Sequence, residues 1–459
     1  MQDLTTGSVS SHLLKTTSFM LVTMVFQTLY FLVDLYWVGS LGKEAVAAVA
    51  VSGNLMFVVL GISQMLGVGA TTLVSHAVGR QDKAQANLAA NQAQVLAILV
   101  GIAFFVLMMA LRVPYANTLS ADAATAADTA AYLAWFIPAM ALQYVVAAQA
   151  AALRGTGNFK PGMVVQTATI IVNMVLAPFL IFGWWTHAPM GVAGAAVATF
   201  VAVAISVVWL ALYFLPKDAY LQLAFSEWKP RFGLWRRLLS IGLPAGAEFG
   251  LMAVYLFIVY SITRPFGAAA QAGFGIGLRV VQAGFMPVVA LAFSVAPVAG
   301  QNYGARKPDR VRDTLKSALM LSVAWMVFLG VICSIVPAAM IGVFSADPQV
   351  KAVGAEYLRI IAWNFVPAAV VFVNSSMFQA IGNTIPPLVA SFVRILLVAI
   401  PAFAMARMPG FELSWIWYLS VAAIVVQMGL SLWLLRRELR IRLDGLASIA
   451  AGPAAARAS

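Results

Sequence analysis

Four ionisable side chains fall inside long apolar stretches of this sequence: Asp34, Glu248, Arg279 and Arg394. A charge at the centre of a bilayer is costly, so such residues mark an ion path, a ligand site or an internal pair. Asp34 follows Gln27 by seven residues, which puts both on about the same face of one helix. A carboxylate in such low-dielectric surroundings can exchange a proton or bind a metal cation; the plainer role is a hydrogen bond that serves packing near the outer end. Glu248 lies one turn after Pro244, whose missing N–H frees the carbonyl of Ser240 and makes a deformable hinge. Arg279 enters the following helix from the opposite side and, at about 1.5 Å per residue, falls within roughly 10 Å of Glu248 in depth. Glu248 thus has two readings, a second coupling carboxylate and a structural ion pair with Arg279. Arg394 can snorkel to lipid phosphate near a span end or meet an anionic substrate group, and no role is assigned to it.

Enzyme chemistry has no comparable foothold. His12, His76 and His187 are far apart, the single cysteine is Cys333, and there is no H-E-x-x-H, no G-x-S-x-G and no P-loop lysine. No cofactor, no metal site and no intramolecular disulfide are expected. The net charge of +12 is spread along the chain without a basic stripe of interleaved aromatics, so nucleic acid is not an expected partner.

The elements that would position these residues are membrane helices. Of the 459 residues 62% are hydrophobic and 10% charged, against roughly 25% charged in soluble domains. A bilayer core needs about 20 mostly apolar residues per helix, and runs of that length fall at 16–38, 46–75, 91–111, 126–153, 161–183, 190–215, 239–263, 270–300, 316–344, 352–380, 385–406 and 413–436. With both termini in the cytoplasm, the inner segments carry twenty Lys and Arg and the outer segments six, the asymmetry of a multi-pass protein of a cytoplasmic-type membrane. The first run is too long for a signal-peptide core. Trp184, Trp185, Trp415, Trp417 and Tyr418 suit the membrane interface.

A shift of 225 aligns the two halves: Leu41-Gly42 with Phe266-Gly267, Gly79 with Gly304, Ser120-Ala121-Asp122 with Ser345-Ala346-Asp347, Tyr132-Leu133 with Tyr357-Leu358, and Gly157-Asn158 and Pro161 with Gly382-Asn383 and Pro386. Duplicated six-helix lobes of the same topology, related by an axis along the membrane normal, follow. The expected division is a tail at 1–15, a first lobe at 16–215, a charged cytoplasmic linker at 216–238, a second lobe at 239–436, and a poorly ordered cytoplasmic tail at 437–459.

Gln27 to Gly42, QTLYFLVDLYWVGSLG, resembles the first helix of the multidrug and toxic compound extrusion (MATE) family. Arg154-Gly155-Thr156-Gly157-Asn158 with Pro161, then Asn173, then Gly191 to Ala196, and later Gly300-Gln301-Asn302-Tyr303-Gly304-Ala305, resemble further family motifs. The resemblance covers about residues 15–436. It implies a V-shaped, two-lobed, all-α transporter of twelve helices that exports amphipathic, often cationic, organic compounds in exchange for protons or sodium. The family's amino-terminal-lobe cation site maps onto Asp34, Gln27, Asn173 and Thr199. Three positions depart from the pattern: Ala177 and Ala150 replace an acid and an Asn, and Phe19 stands where helix 1 usually has Pro. Hard cations want several oxygen ligands, so the sparser set favours proton coupling over sodium. Pro244 is the repeat partner of Phe19, so the hinge is expected in helix 7. The expected working form is a monomer among membrane lipids, and the competing function is a lipid or lipid-linked saccharide flippase of related fold.

Overall fold

The computed structural model describes residues 1–184 and 188–450, with side chains as far as Gly445. Trp185, His187 and the stretch 451–459 lie outside the described residues. No strand occurs among those described, and twelve helices are long and apolar enough to cross a membrane: α1 Val9–Gly39, α2 Lys43–Gly79, α3 Lys83–Leu119, α4 Ala123–Gly155, α5 Lys160–Phe182, α6 Val192–Leu212, α7 Phe232–Phe266, α8 Ala268–Gly304, α9 Pro308–Ile335, α10 Pro348–Ile381, α11 Ile385–Met405 and α12 Leu413–Gly445. Many exceed the length that spans hydrocarbon alone, because polar turns at their ends continue the helix beyond it.

The positions shared by the two halves are the ones local backbone geometry demands. Asp122 and Asp347 cap α4 and α10, their carboxylates accepting from the N–H groups of Thr125 at 2.7 Å and Gln349 at 2.7 Å. Gly42 and Gly267 precede α2 and α8 with φ of 118° and 88°, a region that a side chain disfavours. Gln81 and Arg306, also 225 apart, both adopt positive φ, 59° and 57°.

Helix packing divides the chain into two units, Met1–Asp3 with Ser18–Gly246 and Leu4–Thr17 with Ala247–Ser459. The division falls inside α7 and not in the expected linker. Its cause is close backbone approach within the first unit: a Cβ on Gly242 or Gly246 would strike the carbonyl of Met65 or of Gly61, and one on Gly69 would strike that of Leu238. Glycine at these positions lets the first part of α7 lie against α2. The linker itself is docked. Asn87, Asn91 and Gln92 on α3 donate to the carbonyls of Tyr220, Gln222 and Lys229 and accept from the N–H groups of Gln222, Ala224 and Arg231.

In the second unit the chain from Leu4 onward and the described part of the expected carboxy-terminal tail, as far as Ala450, are structured. α1 starts at Val9, and Leu4, with 0% exposure, packs with Leu13, Leu291 and Val295. The Leu4 N–H donates to Gln301 Oε1 and its carbonyl accepts from Asn302 Nδ2 and Arg310 Nη2. At the other end the last helix runs on to Ala450, with Leu443 buried and Glu438 accepting from Asn383 Nδ2 and Arg442 Nε. Trp417 is also corrected: it is 1% exposed and stacked 5.1 Å from the Phe274 ring, inside the core. Trp184, Trp415 and Tyr418 remain exposed, as an interface belt requires.

Candidate functional site

The first unit gathers polar side chains from α1, α4, α5 and α6 around Asp34. Thr199 Oγ1 donates to the Ala195 carbonyl at 3.1 Å, which leaves its lone pairs to accept from Asn173 Nδ2 at 3.1 Å and from the Tyr30 hydroxyl at 3.2 Å. The Thr199 hydroxyl is then fully used, and the single Tyr30 proton is committed to it. Asp34, 9% exposed, lies within electrostatic reach of Tyr30 and of buried Tyr132. Its Oδ1 and the Oδ1 of Asn173 are both buried without a hydrogen-bond partner. Buried acceptors are almost always satisfied; Asp34 and Asn173, linked through Tyr30 and Thr199, each keep one oxygen without a donor. Asn173 and Thr199 therefore belong to the Asp34 cluster. Gln27 does not: it is exposed on α1.

The second unit holds a separate cluster. Glu248 on α7 accepts from Ser375 on α10 at 2.9 Å and from Ser391 on α11 at 3.1 Å, and Ser391 accepts from Gln427 on α12 at 3.0 Å. The Gln427 Oε1 is buried and unpartnered. Asn374 donates to Ser431 beside it at 3.2 Å. The expected ion pair with Arg279 is absent, since Arg279 is exposed and every ion pair among the described residues lies elsewhere. Two hydroxyls serve Glu248 in its place. Pro244 stands one turn earlier, inside α7 as expected. Arg394, also on α11, stacks its guanidinium 4.6 Å from the Tyr255 ring centroid, and the Tyr255 hydroxyl bonds Ser420 at 2.9 Å.

Sequence reasoning missed Tyr30, Tyr132, Ser375, Ser391 and Gln427 as members of these clusters. The tyrosines had a signal: Tyr30 and Tyr132 correspond at the shift of 225 to Tyr255 and Tyr357. Serines and a glutamine within apolar runs had none, because their inward facing depends on which helices pack together. No group of three or more His, Cys, Asp or Glu side chains able to hold a metal ion occurs among the described residues.

A family model described as MatE matches residues 20–179 and 244–404. A relative described as "Probable multidrug resistance protein NorM", from Thermotoga maritima, is 25% identical over 414 residues, covering 89% of this chain and 88% of that one. Another, from Shewanella oneidensis, is described as "FAD transporter"; it is 23% identical over 375 residues, covering 82% of this chain and 83% of its own. A solved structure described as "Crystal structure of MATE in the bent conformation" superposes with a TM-score of 0.89 over 98% of both chains at 22% identity. That likeness shows the fold.

Proposed function

The chain belongs to the MatE family, whose members are secondary transporters and not enzymes, and on that premise we propose that it exports amphipathic organic compounds, cationic ones among them, in exchange for protons. The observation that carries the coupling is Asp34: a buried carboxylate with an unpartnered oxygen, within electrostatic reach of Tyr30, whose hydroxyl proton is given to Thr199. A proton arriving there gives the cluster the donor it lacks. Sodium is the poorer fit, because one carboxylate and one amide oxygen fall short of the several oxygen ligands a hard cation seeks. Occupancy of the site biases two conformations only to the extent that its affinity for the proton differs between them. Glu248 is the second candidate for this exchange, held by hydroxyl donors that tolerate either protonation state. Relatives described as multidrug resistance proteins support the class of compound, and α-helical spans in a multi-pass arrangement support alternating access.

Expression in drug-sensitive cells that lack their main pumps is expected to lower accumulation of a cationic dye. Inverted vesicles with separately imposed gradients then decide the ion. Dye movement driven by a pH difference at equal sodium is the expected result, and movement driven by sodium alone removes the proton assignment.

A further inference from the structure

Of the two intramembrane arginines that proton exchange leaves unused, Arg279 is exposed and Arg394 is partly buried. Snorkelling does not account for Arg394. Nine residues separate it from Ile385 and eleven from Met405, so the nearer helix end lies about 14 Å away along the axis. An extended arginine spans roughly half that distance. Its direction is also wrong for lipid: Val389, Phe392, Leu396, Ile400 and Phe403 form the exposed apolar stripe of α11, and at 3.6 residues per turn Arg394 points about 160° away from it. Nor is it neutralised internally, for no Asp or Glu forms an ion pair with it among the described residues and its Nε is buried without a partner.

The duplication sharpens the contrast. In the first unit Tyr30 and Tyr132 lie within electrostatic reach of Asp34; their counterparts Tyr255 and Tyr357 lie within reach of Arg394. The same tyrosine pair frames a carboxylate in one unit and a guanidinium in the other. Stacking on Tyr255 holds the guanidinium plane and leaves its N–H fork for a planar oxyanion. Ser391, three residues before Arg394, donates to Glu248 at 3.1 Å, so an acidic and a basic group stand about one helical turn apart in depth.

We propose that Arg394 and Tyr255 form an anion-binding subsite for the transported compound, which takes a carboxylate and so admits amphipathic zwitterions as substrates. This rests on the export reading and narrows its substrate class. The test uses the protein purified into lipid nanodiscs and two fluorescent probes, a rhodamine with its benzoate free and the methyl ester of the same rhodamine, followed by anisotropy. The free acid is expected to bind, and Arg394→Gln is expected to weaken it about tenfold or more, the scale of a lost charge-assisted bond. The ester should change less than twofold. Arg394→Lys keeps the charge without the fork, so it should show the same acid-selective loss by a smaller factor, and it decides the matter if the Gln variant does not fold. No binding of the free acid, equal loss for both probes, or no loss for either overturns the subsite. Export is read separately in vesicles: an intact binding contrast with neither dye exported removes the export reading and leaves the subsite standing.

Discussion

Asp34 and Glu248 are both intramembrane carboxylates, yet their surroundings differ in kind. Asp34 has an oxygen with no donor, whereas each oxygen of Glu248 accepts from a serine. Asp34→Asn keeps the shape and removes titration, so dye export driven by a pH difference is expected to fall at least tenfold with membrane insertion unchanged; wild-type export by that variant ends the role given to Asp34. For Glu248 the missing ion pair sets a sharper expectation. If Glu248→Gln slows export, adding Arg279→Gln should leave the defect where it was, because the two groups do not share an interaction. Rescue in the double variant, measured as initial efflux rate across pH, is the outcome that would restore a structural pair.

At the scale of helices, glycine placement and caps do the specifying. Gly242→Ala drives a methyl into the Met65 carbonyl, and overpacking of this kind costs about 1–3 kcal/mol. Gly250→Ala, in the same helix, meets open space and serves as the control. The pair should separate in the midpoint of thermal unfolding of the purified protein, with only the first lowered. Asp122 supplies a second test. The Thr125 backbone N–H, then the Thr125 hydroxyl, hold its carboxyl below the ordinary Asp range. A lowered folded-state pKa means the cap contributes above the unfolded value near 3.9 and fades as pH falls through the lower folded value. Asp122→Asn, which keeps a capping oxygen, should therefore flatten the loss of thermal stability as pH falls below about 4.

For the molecule as a whole, the amino-terminal residues matter more than their position at the chain end suggests. Leu4 is fully buried among α8 and neighbouring side chains, and its backbone serves Gln301, Asn302 and Arg310. Leu4→Ala is expected to cost about 2–4 kcal/mol, the range of a buried leucine truncation, and to lower the unfolding midpoint in detergent. A midpoint equal to wild type would mean that the segment is a loose tail. The same view explains which features the duplication kept. Turn glycines, helix caps and one tyrosine pair recur at the shift of 225, while the charges beside those tyrosines differ in sign.

Composition and apolar run length determined the class and the number of spans, because each depends on the local match between a segment and its solvent, and the matches at a shift of 225 showed the duplication. That Asp34, Asn173, Thr199 and Glu248 are polar groups in apolar runs was likewise legible, since such a group is conspicuous wherever it finally points. Direction was not. Gln27 shares a helix face with Asp34 by spacing alone, yet it is exposed, and Arg279, expected at the depth of Glu248, is exposed and forms no ion pair with it. Depth and periodicity place a residue on its own helix; only tertiary packing decides which helix stands opposite. Ser375 and Ser391 reach Glu248 from α10 and α11, and Asn87 and Gln92 secure a linker more than a hundred residues away in sequence. No sum of local preferences contains those pairings, because the free energy that fixes them comes from contacts between segments whose own folding is the same with or without them.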